Sequence, residues 1–149
     1  RVYIAPQAIY EARTAKALRI LSSPDFDPLK QVLVNKKISS ESRRSGGEAK
    51  IVRYSNKSVV IDAALDGSGI LVLTDTFYPG WKVFVDGKES TILQANYFFR
   101  GVQLSPGNHS IEFRYVPFSF KVGVAISLFT GVMLALISLL RLCYRRRSS

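Results

Sequence analysis

The chain is poor in histidine and cysteine, two side chains on which reaction centres are often built. Its 149 residues include one cysteine, Cys143, and one histidine, His109. With one cysteine no intramolecular disulfide can form, so the fold must rest on its hydrophobic core. The same scarcity leaves no specific Ser-His-Asp set, Cys-His pair or His/Cys metal centre to propose, and no metal or cofactor is expected. His109 reads as an exposed or capping residue where a strand starts after a turn. Asp25 and Asp27 sit between Pro24 and Pro28 and are accounted for by a turn, since further oxygen ligands for a metal are missing nearby.

Negative charge is also scarce, with 11 acidic against 21 basic residues and a net charge of +10. Five of the cations, Lys121, Arg141, Arg145, Arg146 and Arg147, flank one apolar segment. That leaves about +5 spread over residues 1–120, without a long basic run or a nucleic-acid motif, so nucleic acid is not expected as a partner. The chain opens on Arg1 with no basic, cleavable leader after it, and is expected to be either processed or a fragment of something longer, the fragment being preferred.

What is abundant is alternation. Trp81-Lys82-Val83-Phe84-Val85 leads into Asp86-Gly87, a pair suited to the positive φ angles of a type I′ turn, so 81–85 and 89–93 are predicted to pair as a hairpin. Ile111, Phe113 and Tyr115 alternate with Ser110, Glu112 and Arg114, the pattern of a half-buried strand. Further strands are predicted at 2–5, 31–34, 49–54, 58–64, 70–74 and 97–104. Helical spacing is read over 8–21. The predicted fold is mainly β: an antiparallel, jelly-roll-like β-sandwich over 49–117. A small α/β lead-in over 1–34 precedes it, and a polar, flexible linker over 35–48 lies between them.

From Val122 to Leu140 no charge interrupts the apolar run, and a transmembrane helix is expected over 121–140, with a basic tail over 141–149. Arg141, Arg145, Arg146 and Arg147 then act as topology signals. They place the C-terminus in the cytoplasm, residues 1–117 outside, and the lipid bilayer among the partners.

Two groups of residues merit attention as sites. Asp75 and Arg100 flank aromatic stretches and are expected to form a structural ion pair between loops. Phe77, Tyr78, Trp81, Asn96 and Tyr97 are candidates for a glycan platform, in which rings stack on sugar faces and amides grip hydroxyls. Packing of the same rings in the sandwich core is the competing account.

The segments Thr74-Asp75-Thr76-Phe77-Tyr78-Pro79-Gly80-Trp81, Ala95-Asn96-Tyr97-Phe98-Phe99-Arg100-Gly101, Pro106-Gly107-Asn108-His109 and Phe113-Arg114-Tyr115 together resemble the C-terminal end of the YfhO family of bacterial membrane proteins. That resemblance implies a large polytopic protein of the plasma membrane, similar to GT-C glycosyltransferases. Such a protein takes a sugar from a polyprenyl-phosphate carrier and decorates cell-envelope polymers such as lipoteichoic acid. It further implies that this chain is a non-catalytic exoplasmic domain joined to the remainder of the membrane bundle. Catalytic residues of such enzymes lie in that bundle, so none is assigned here. The alternative is a membrane-anchored carbohydrate-binding or structural envelope module without transferase activity.

Overall fold

The computed structural model describes residues 1–38 and 46–147, with the backbone alone over 118–121 and 138–147. The chain divides into two units, Arg1–Val116 and Pro117–Ser149. In the first unit the described strands are β1 (Val2–Ala5), β2 (Gln7–Tyr10), β3 (Gln31–Val34), β4 (Gly47–Tyr54), β5 (Ser58–Leu65), β6 (Gly69–Thr76), β7 (Trp81–Val85), β8 (Lys88–Ser90), β9 (Leu93–Ala95), β10 (Phe99–Leu104) and β11 (Gly107–Tyr115). A helix, α1 (Thr14–Leu21), links β2 to β3. The strands form a six-stranded sheet ordered β1-β6-β10-β9-β3-β2 and a five-stranded sheet ordered β4-β5-β11-β7-β8. All neighbours are antiparallel except β2 and β3, which run parallel with α1 as their crossover.

Strand alternation builds the core. Val59, Ile61, Ala63 and Leu65 of β5 join Val83, Ile111 and Phe113 from the same sheet. They pack against Leu71, Leu73, Val102 and Leu104 of the other sheet. The six-stranded sheet is apolar on its second face too, where Ile70, Val72, Val32, Val34, Leu93 and Ala95 form a separate buried cluster. Burial on both faces explains the unbroken run Ile70-Leu71-Val72-Leu73, where a one-sided strand would alternate.

The turns follow their residues. Asp86 and Gly87 have φ of 51° and 78°, as a type I′ hairpin requires, and Val83, Phe84 and Val85 pair with Ser90, Glu89 and Lys88. The second arm ends at Ser90 and not at residue 93, because Leu93 is drawn into the other sheet as the first residue of β9. In Tyr78-Pro79-Gly80-Trp81, Gly80 takes φ of 103° and the Trp81 N–H donates to the Tyr78 carbonyl at 3.4 Å, a type II arrangement.

Three expectations need correction. The helical spacing from residue 8 is a strand at first: Gln7–Tyr10 pairs with β3, and the helix begins only at Thr14. The lead-in over 1–34, expected to be divided from the sandwich by a linker, joins it: β1 pairs with β6 and β3 with β9, inside the same six-stranded sheet. Most of the predicted linker, 39–45, falls outside the described residues, while Gly47 and Glu48 already belong to β4.

The third correction concerns the membrane. The second unit holds α2 (Phe118–Arg147), in which the Thr130 hydroxyl donates to the Ile126 carbonyl at 2.9 Å. No helix among the described residues is long and apolar enough to cross a membrane, so the transmembrane helix expected over 121–140 is not found. The topology drawn from Arg141, Arg145, Arg146 and Arg147 depended on that span, and their side chains lie outside those described. It loses its footing with the span.

Phe113 is fully buried between the sheets. Phe113→Ala is expected to cost about 3–5 kcal/mol, seen as a shifted urea midpoint at unchanged slope.

Candidate functional site

At one end of the sandwich several strand termini converge. Arg1 precedes β1, Tyr54 ends β4, Asp75 lies near the end of β6, Trp81 begins β7 and Arg100 lies in β10. Together with Tyr78 they line a groove of about 620 Å³.

The local pairing explains how two charges come to lie at the edge of an apolar core. Between β10 and β6 the register slips: Phe99 faces Thr76 but Arg100 faces Leu73, so Thr74 and Asp75 are extra residues on the β6 side. Such a bulge turns side chains out of the regular alternation. Arg100 shares its face of β10 with buried Val102 and Leu104, and is itself only 3% exposed. A guanidinium on that row must find a carboxylate.

Asp75 supplies it. Arg100 Nη2 donates to Asp75 Oδ2 at 2.9 Å, Arg1 Nε donates to Oδ1 at 2.9 Å and the Tyr54 hydroxyl donates to Oδ2 at 3.0 Å. Arg1 also donates to the Tyr54 hydroxyl and lies over its ring, 4.2 Å from the centroid. Trp81 covers Arg100, with the guanidinium carbon 3.8 Å from the ring centroid. Burial pulls the Arg100 pKa below its usual value while the Asp75 charge pushes it back up. Arg1 is raised, first by its hydrogen bond to Asp75. Arg100 Nε and Nη1, both buried, have no partner among the described residues.

The five residues predicted as a glycan platform do not share one surface. Tyr78, 60% exposed, and half-buried Trp81 line the groove. Phe77 is half-buried and held through its N–H, which donates to the Phe98 carbonyl at 2.6 Å. Asn96 is buried: its Oδ1 accepts from the Leu33 N–H at 2.8 Å and its Nδ2 donates to the Tyr3 hydroxyl at 3.3 Å. Tyr97 borders a different small cavity, of about 40 Å³, beside Glu11 and Gln94. The groove instead gains Arg1 and Tyr54, two residues that no local pattern singled out. The separation of 74 positions between Arg1 and Asp75 hides their contact.

A second cluster also escaped sequence reasoning. His109 Nδ1 lies 2.7 Å from Asp86 Oδ2, and Nε2 lies 3.2 Å from Ser105 Oγ. The outline is that of a Ser-His-Asp set, but Nε2 is as near to the Ser105 carbonyl oxygen, at 3.1 Å, and Asp86 also accepts from the Ser110 N–H at 2.9 Å. These bonds tie the β7–β8 turn to the β10–β11 turn. They describe a clamp, not an activated nucleophile. The Asp86 carboxyl is held below its ordinary value, chiefly by His109 and next by Ser110. No cluster of three or more metal-binding side chains occurs among the described residues.

Comparison with known proteins bears on most of the chain. The family described as "Bacterial membrane protein YfhO" matches residues 20–127. The uncharacterized protein YfhO of Bacillus subtilis (strain 168) is 24% identical over 123 residues, which is 83% of this chain and 13% of that protein. The chain thus spans a small part of its relative's length. No solved structure matches it.

Two outcomes are expected from the site's electrostatics. Asp75→Ala strands the Arg100 charge in the core and costs about 3–5 kcal/mol, whereas Arg1→Ala on the exposed side of the same carboxylate barely moves the midpoint; urea melts of the two variants check the order. A carboxyl lowered by folding stabilises the native state above about pH 4, and that contribution is lost as pH falls through the folded value. His109→Gln removes the main cause at Asp86, so its acid-induced fall in melting temperature should be shallower than the parent's.

Proposed function

The chain belongs to the YfhO family of bacterial membrane proteins, and from that premise we propose that residues 1–116 are a non-catalytic, glycan-holding module of a longer, glycosyltransferase-like membrane protein. In this reading the module stands on the outer face of the plasma membrane and positions an envelope polymer, such as lipoteichoic acid, as acceptor. Transfer from a polyprenyl-phosphate sugar takes place elsewhere in the longer protein.

The observation that carries the proposal is the groove itself. It offers an exposed ring at Tyr78, a second ring at Trp81 and charged hydrogen-bonding groups beside them, the mixture that grips a sugar's apolar face and its polar rim. A catalytic reading has less support. Asp75 is held by three side chains, and neither a second carboxylate nor a histidine lines the groove beside it.

NMR titration of the 149-residue chain with envelope oligosaccharides and teichoic-acid fragments tests the reading. Shifts should gather on Arg1, Tyr54, Tyr78 and Trp81, and Tyr78→Ala should weaken binding about threefold to tenfold, the value of one ring contact. A flat response at millimolar ligand would leave the sandwich a structural brace.

A further inference from the structure

At the other end of β6 and β10 lies a second groove. Ser68 stands immediately before β6 and Leu104 ends β10, four residues beyond Arg100, or about 13 Å along the strand. The groove holds about 680 Å³, and buried Leu93 and Leu104 form part of its floor. Hydroxyl groups line its rim: Ser68 from the β5–β6 connection, Ser90 and Thr91 from the end of β8, and Ser105 from the β10–β11 turn. The His109 clamp holds that last turn, with Nε2 3.2 Å from Ser105 Oγ.

The wall beside these hydroxyls is cationic. Lys36 and Lys37, from the segment after β3, both line the groove and both are exposed. Neither ammonium has a carboxylate partner among the described residues. No acidic side chain lines the groove, and the acids close by in sequence are engaged elsewhere, Asp86 with His109 and Glu89 with Lys82, while Asp66 stays outside the lining. An ammonium donates and never accepts, so two of them without a counter-charge favour a ligand that brings acceptors and negative charge together. A phosphate ester does this better than a carboxylate, since a monoester carries about −1.5 to −2 charge at pH 7 and presents three acceptor oxygens. The hydroxyls on the rim donate and accept alike, which matches the hydroxyls of a polyol.

We propose that this groove binds a phosphorylated polyol: the phosphate oxygens accept from Lys36 and Lys37 while the polyol hydroxyls exchange hydrogen bonds with Ser68, Ser90 and Thr91. The site is separate from the glycan groove, and neither reading depends on the other. Both ammonium groups stand in solvent, so a ligand reaches them without rearrangement of the fold.

NMR titration of the intact chain in low salt with glycerol, inorganic phosphate, glycerol 3-phosphate and the diester glycerophosphoglycerol tests the assignment. Saturable shifts are expected at Lys36, Lys37, Ser68, Ser90 and Thr91 with one or both phosphate esters, about tenfold or more tighter than with glycerol and weakened by added salt. Tighter binding of the monoester identifies a free phosphorylated compound as the source, and tighter binding of the diester a polymer or a lipid headgroup. The double variant Lys36→Gln, Lys37→Gln, at exposed positions, should weaken that binding about tenfold while circular dichroism shows the fold retained. Glycerol binding as tightly as its phosphate overturns the role of the lysines. Inorganic phosphate binding as tightly as glycerol 3-phosphate overturns the polyol assignment. Shifts confined to Arg1, Tyr54, Tyr78 and Trp81, or no shifts at all, overturn the site.

Discussion

A guanidinium placed on the core-facing row of β10 dictates what its neighbours must be. The desolvation of an unpaired buried charge exceeds what ordinary packing can offset, so a carboxylate has to arrive from an adjacent strand and its leftover lone pairs have to be filled. The slipped register of β6 brings Asp75, and the ends of β1 and β4 bring Arg1 and Tyr54 to that carboxylate's other side. Trp81 from the five-stranded sheet covers the guanidinium, and Phe113 approaches it at 5.7 Å. One interaction therefore ties both sheets together at this end. The opposite turns rely on a different device, the clamp of His109 on Asp86.

Local chemistry was the legible part of the fold. Asp86-Gly87 announced its hairpin, Pro79-Gly80 its turn, and the alternation through Ile111, Phe113 and Tyr115 a strand whose inward residues are indeed buried at Ile111 and Phe113. Errors arose where two structures share a pattern. Ala8 and Ile9 fit a helical stripe as well as a strand, and only the parallel pairing with β3, formed after a 20-residue detour, decides between them. Residues 122–140 were read from hydropathy as a span, yet no helix among the described residues meets the length and apolarity that crossing demands.

The site was legible in its charges and obscure in its shape. Asp75 and Arg100 drew attention as charges beside aromatic stretches, and the structure places them 2.9 Å apart. The aromatic residues were harder, because neighbours in sequence separate in space at a turn. Asn96 and Tyr97 both adopt positive φ, 46° and 69°, which turns the Asn96 amide inward onto Leu33 and Tyr97 toward another cavity. Asparagine tolerates that conformation better than most residues, and this was the one local hint that residue 96 serves the backbone and not a ligand.

The buried pair and the groove are consequences of the same arrangement. If Arg100 and Asp75 matched each other's hydrogen-bonding capacity, the end of the sandwich would be closed electrostatically and Trp81 would cap it as ordinary packing. They do not match: Asp75 accepts from Arg1, Tyr54 and Arg100, while Arg100 Nε and Nη1 are left without a partner among the described residues. A surplus of that kind confers no stability on the free protein. Among the described residues, these two nitrogens beneath Trp81 are the buried polar side-chain atoms left without a partner, and they mark where this end of the sandwich is least settled.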